Sequence, residues 1–109
     1  MATTYKVLGM SAPSATTNTD LYTVPAATSA VVSTLCICNR AAATSTYRVA
    51  VRPAGAALAN QHYIVYDSTL AINDTVFLTL GMSLAATDVV TVYASSANLS
   101  FSLFGSELT

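Results

Sequence analysis

Two cysteines one residue apart, Cys36 and Cys38, and a single histidine, His62, carry the most reactive side chains of this chain. Thiolates and imidazoles ligate zinc, and a Cys–His pair can activate a nucleophile. The spacing argues against both. Residues two apart in a strand share a face with Cα atoms about 6.6 Å apart and nearly parallel Cβ vectors, the far end of disulfide geometry. A structural zinc site takes four ligands, usually from CxxC-type turns, and three such residues fall short. The thiols therefore read as small side chains packed inside a sheet, with Ile37 on the opposite face.

Any Ser-His-Asp arrangement has to use His62 with Asp67 or another acid, and no serine lies in a glycine-flanked nucleophile elbow. His62 reads instead as a polar residue where a strand begins. The five acids, Asp20, Asp67, Asp74, Asp88 and Glu107, fall near expected strand ends, where carboxylates cap turns. Their spacing suggests neither a glycosidase pair nor a calcium loop. No catalytic, cofactor-binding or metal-binding residue is expected, and the chain does not read as an enzyme.

Surface chemistry rests on six tyrosines and three arginines. Tyrosine is enriched at interfaces because it joins a large apolar ring to a polar tip. Arg48 and Arg52 share a strand face and, with Arg40, are expected to form a cationic patch facing a partner's carboxylates. Tyr5, Tyr22, Arg48, Arg52, Tyr63 and Tyr66 form the candidate interface set. Core or inter-strand packing with the hydroxyl at the edge is the ordinary reading for any one of the six tyrosines, Tyr47 and Tyr93 included, and tyrosines stacking on sugars in the manner of a carbohydrate-binding module are a lesser alternative.

The elements that must hold these residues are strands. Thr, Val, Ile and Tyr dominate the ordered-looking segments, and no window keeps a helical stripe. Strands are expected at residues 5–8, 21–24, 30–39, 45–52, 62–66, 75–80, 88–94 and 99–104. Pro25, Pro53-Ala54-Gly55, Asn73-Asp74, Gly81 and the 95–98 segment separate them. Alternation puts Tyr47, Val49 and Val51 opposite Arg48 and Arg52, and Val76, Leu78 and Leu80 opposite Thr75, Phe77 and Thr79. The expected fold is an all-β antiparallel sandwich of seven to eight short strands over residues 19–109. Residues 1–18 hold too little apolar surface for a core and are expected as an extended N-terminal arm.

The 109 residues are 53% hydrophobic but only 8% charged, against about 25% in an ordinary soluble domain. No apolar run approaches the roughly 18–20 residues of a membrane helix, and MATTYKVLGM has no basic region followed by an apolar one. With Lys6, Arg40, Arg48 and Arg52 as the only cations and a net charge of −1, neither nucleic acid nor an anionic membrane is an expected partner. Surfaces buried in an assembly do not need charge to stay apart, so the composition points to permanent association.

The stretches YKVLG (5–9), LYTVPAATSAVVST (21–34), CNR (38–40), YRVAVRPAG (47–55), LAATDVVTVYAS (84–95) and NLSFSLFGSE (98–107) resemble small virion structural proteins of tailed, cyanophage-like bacteriophages. The resemblance covers nearly the whole chain as an overall pattern, not a catalytic signature. It implies an all-β protein without enzymatic activity or cofactor, located in the virion and assembled in the bacterial host cytoplasm. The role it implies first is capsid decoration, or cement: binding the major capsid protein on the outer shell as a homo-oligomer, with a trimer favoured. A small tail or tail-fibre component is the alternative.

Overall fold

The computed structural model describes residues 2–109. All eight expected strands are present: β1 (Thr3–Ser11), β2 (Thr19–Thr23), β3 (Ser29–Asn39), β4 (Ser45–Arg52), β5 (Tyr63–Leu70), β6 (Thr75–Leu84), β7 (Val89–Ala94) and β8 (Leu99–Leu108). Two single 3₁₀ turns, Pro53–Gly55 and Asn60–His62, lie between β4 and β5. Gly81, expected as a terminator, lies inside β6 with φ +60°. Two residues of β6, Leu80 and Gly81, oppose Ser33 alone, so the glycine bends the strand without ending it.

The strands form two antiparallel four-stranded sheets, β1-β8-β3-β6 and β2-β7-β4-β5. Strand pairs β4·β5, β3·β6, β2·β7 and β1·β8 are nested, as if one long hairpin had been rolled up. This order is that of a double Greek key, the jelly roll. Alternation explains the core: Val32, Leu35 and Ile37 of β3 and Leu99, Phe101 and Leu103 of β8 meet Val49, Val90 and Val92 of the second sheet, all essentially without solvent contact.

Residues 3–11, expected within an extended N-terminal arm outside the sandwich domain, are paired along their length with β8 as the edge strand of the first sheet; Met1 lies outside the described residues. The segment is extended, and of its side chains only Leu8 is buried. Backbone pairing, which composition does not register, is what holds it. Leu8 sits at a bulge, and the following Gly9 lies against the Leu21 carbonyl so closely that a Cβ there would collide with it.

Polar side chains tie the loops at each end, buried at one and half-exposed at the other. At one end the Asn39 side chain donates to the Ala43, Leu70 and Ala71 carbonyls and accepts from the Ala41 N–H, joining the β3–β4 and β5–β6 connections. At the other, the Asp88 carboxylate accepts from the Ala54 and Ala85 N–H groups. Asp74 likewise accepts from the Thr75 N–H, so two of the five acids have the capping role expected of them.

Candidate interaction surface

In an antiparallel pair, directly opposed residues share a face, so register lays out the outer face of the first sheet row by row. Tyr5, Ser106, Val31 and Ser83 make one row; Val7, Phe104, Thr34 and Thr79 the next; Met10, Ser102, Cys36 and Phe77 a third. Ser100, Cys38 and Thr75 follow. Large side chains stand on the two edge strands, with Tyr5 85% and Phe77 67% exposed, while the central strands β8 and β3 present mostly serine and cysteine. The face is therefore a shallow trough, with Tyr5, Val7 and Met10 along its β1 side, Phe77 alone among serines and threonines on its β6 side, and Val31 and Phe104 rising from a floor otherwise made of small residues. An open recess of about 560 Å³ lies on its β1 side, among Tyr5, Lys6, Val7, Val31 and Phe104.

The thiols lie on this floor. Ile37 is in the core as expected on the opposite side, but Cys36 and Cys38 are half-buried on the outer face and unpaired. The expectation of buried thiols is corrected to half-buried ones: alternation separates them from Ile37, and the larger, branched Ile37 takes the core side. Burial, and then the neighbouring Cys38, pushes the Cys36 thiol up, which disfavours the thiolate a metal would need. Among the described residues no three His, Cys, Asp or Glu side chains come together. His62 accepts the Ala59 N–H at Nδ1, a turn-closing bond.

The four strands of the first sheet hold only two charged residues, Lys6 and Glu107, and these pair with each other at 3.1 Å. Glu107 points inward and also accepts the Tyr22 hydroxyl at 2.5 Å, linking β8 to β2 across the sandwich. The Tyr22 and Lys6 bonds hold the Glu107 carboxyl below the usual range. Burial, reinforced by the bond to Glu107, pushes the Tyr22 hydroxyl up. Tyr22 is thus a buried cross-sheet tie, unlike the exposed contact residue expected.

Comparison with protein families, curated proteins and solved structures finds no match.

The remaining candidates lie on the second sheet. Where β5 passes Arg48, two residues, Tyr66 and Asp67, oppose that one, and Asp67 takes a left-handed φ of +51°. This bulge aims both side chains at the guanidinium. Arg48 Nε donates to Asp67 at 2.6 Å, and its guanidinium lies 4.2 Å from the ring centres of Tyr66 and of Tyr93, its cross-strand neighbour on β7. The bond to Asp67 raises the Arg48 pKa and keeps the side chain charged. Tyr63 meets Tyr66 edge-on, centroids 4.9 Å apart. Arg52 donates to Asp20 at 2.8 Å and to Thr91 at 3.0 Å, and Arg40 donates to the Ala97 carbonyl at the far end of the sandwich.

The expected cationic patch is therefore internally neutralised: Arg48 and Arg52 each hold an acid of this chain, and Arg40 sits apart. The six candidates divide, with Tyr5 on the trough wall, Tyr22 inside, and Arg48, Arg52, Tyr63 and Tyr66 on the second sheet. Val7, Met10, Val31 and Phe77 were not singled out from sequence. For Phe77 a signal existed, a large aromatic alternating with Thr75 and Thr79 on the polar side of its strand.

Proposed function

We propose that this chain is a structural protein of a virion, a capsid decoration protein that lays the outer face of its first sheet on the major capsid protein and thereby stabilises the shell. The trough carries the reading: its outward rows hold no charged residue, and Lys6 at its β1 edge is paired with Glu107. Exposed large apolar side chains, grouped on a face without charge, mark surfaces that are covered in use. Four strands about 4.8 Å apart and about ten residues long at 3.3 Å each give roughly 600 Å² of projected face. That approaches the ~800 Å² each partner contributes to a standard interface. One further fact supports the reading: jelly rolls recur in viral capsid domains; the expected resemblance of the quoted segments to phage virion proteins points the same way.

The same proposal includes association between copies, with the trimer that the resemblance favours, and places that contact at β6. Edge strands left bare are templates for pairing and are usually blunted by charge, bulges or shortness. β1 carries Lys6 and a bulge, β2 is five residues long with Asp20 and a bulge, and β5 has two register breaks and Asp67. β6 has ten residues without charge or proline, one bulge near Gly81, and inward side chains at Val76, Leu78, Leu80 and Met82 that are only partly covered. A neighbouring copy would complete their burial.

Cryo-EM of the particle tests the assignment. Density for this chain at capsomer junctions on the outer shell is the expected result; density confined to the tail replaces it with a tail or fibre component. Light scattering on the isolated protein is expected to show a multimer, and a monomer that never binds capsids overturns the reading.

A further inference from the structure

The second sheet carries a feature that docking through the first sheet does not use. Tyr93, Arg48 and Tyr66 form a three-layer stack, with the guanidinium between two rings and pinned by Asp67. Tyr66 is nevertheless 58% exposed, and Tyr63 stands at 86° to it. The two rings form a corner, and with Asn60 they line an open recess of about 280 Å³. The exposed Asn60 side chain places an amide donor and acceptor at the rim.

Charge decides what such a corner takes. A quaternary ammonium group favours aromatic faces, but here a guanidinium already lies over one of those rings. A phosphate or carboxylate would have to displace Asp67 from Arg48, a charge-assisted pair at 2.6 Å. A nucleic-acid strand would need unpaired cations along its path, whereas Lys6, Arg48 and Arg52 each hold an acid. A neutral ligand with an apolar face and polar rim remains. A pyranose ring has that form: polarised C–H groups on one face to meet the electron-rich face of a tyrosine, and hydroxyls around the edge for Asn60 and the phenol oxygens. The recess is at the small end of ligand sites, the scale of one sugar unit.

We infer that the Asn60–Tyr63–Tyr66 corner is a binding site for a neutral sugar residue of a surface glycan, held by ring stacking on the Arg48-braced Tyr66. The bulge at Tyr66–Asp67 has a purpose in this arrangement, because it locks the platform ring before the ligand arrives and so lowers the ordering cost of binding.

The test is a titration of the ¹⁵N-labelled protein followed by NMR, using glucose, galactose, mannose and N-acetylglucosamine and their β-linked disaccharides, with tetramethylammonium and inorganic phosphate as charged probes. At least one neutral sugar is expected to give saturable shifts confined to residues 60–67 and Tyr93, with millimolar affinity. Tyr66→Ala and Asn60→Ala are each expected to weaken that binding at least fivefold; Asn60 is exposed, so its variant keeps the fold. No saturable shift at tens of millimolar sugar overturns the inference. So does binding that survives both substitutions, or tighter binding of either charged probe at the same residues.

Discussion

Replacing Tyr22 with Phe removes one hydroxyl and leaves the ring in the core, which isolates the bond that crosses the sandwich to Glu107. A hydrogen bond to a charged group contributes about 1.5–3 kcal/mol. Glu107 keeps Lys6 as a partner, and its side chain retains 12% exposure, so water can replace part of the loss. The expected cost is therefore at the lower end, about 1.5–2 kcal/mol, which for a chain of this size lowers Tm by about 6–12 °C. The pH dependence has a defined sign. The Glu107 carboxyl is held low by the Tyr22 bond and then by Lys6, so its contribution is present above the ordinary glutamate value of about 4.3 and is lost as pH falls below it. Tyr22 is shifted up by burial and by Glu107, so its contribution is present below about pH 10 and is lost as pH rises further. Urea unfolding from pH 3 to 11 should show both limbs in the wild type. Tyr22→Phe should remove the alkaline limb due to this residue and flatten the acid limb, while the other ion pairs cancel in the difference. A double-mutant cycle with Glu107→Gln should return a coupling of about 1 kcal/mol or more. A cost under about 0.5 kcal/mol, or acid limbs that superimpose, refutes the cross-sheet tie.

Gly105→Ala places a methyl group against the Val31 carbonyl and close to Val32 Cα in the central β3·β8 pair; because the obstacle is backbone, it should cost at least about 2 kcal/mol by urea midpoint. Cys36→Ala with Cys38→Ala should change stability by no more than about 0.5 kcal/mol, since both thiols are on the outer face; intact mass after alkylation should count two free thiols, and chelators should alter neither stability nor assembly. Arg48→Lys keeps the charge but loses the planar fork and the stacking between Tyr66 and Tyr93, with an expected cost of about 1 kcal/mol in chemical denaturation. Phe77→Lys should abolish assembly measured by light scattering, with Tm falling to that of the isolated monomer, because a lysine would stand on the trough wall and the β6 edge together.

What could be read from the sequence follows from what alternation encodes. Period-two patterning located all eight strands and separated Val76, Leu78 and Leu80 from Phe77, and Ile37 from the thiols. It is silent on which of two faces is inside when one carries small, weakly polar residues, and so it does not reveal that the thiols, expected to be buried, lie half-exposed on the outer face. Pairing is not local information either. The β1 segment shows a single buried side chain, and its backbone bonds to β8, distant in sequence, are invisible in composition. The Arg48 stack shows the same limit: Tyr93 reaches Arg48 through β4·β7 register, and Asp67 and Tyr66 reach it through a bulge at a residue, aspartate, that tolerates the left-handed conformation without advertising it as glycine would. Charge counting gave four cations but not their partners, so the patch it suggested was already neutralised.

Nested pairing also orders the folding reaction. β4·β5 is the shortest-range pair, and once it closes, β3 and β6 are brought within reach, then β2 and β7, then β1 and β8. Each closure shortens the effective loop of the next, so an entropy cost that would be large for β1·β8 in an open chain is met in small steps. The last strand to dock anchors only Leu8 in the core and is the first to leave. Hydrogen exchange should therefore find β1 amides opening well below the global unfolding free energy while the β3·β8 amides exchange only with it. A wall of the proposed docking trough is then expected to be the least stable strand of the protein, and a partner seated against Tyr5, Val7 and Met10 would act as a clamp on the fold as much as the fold acts as a clamp on the partner.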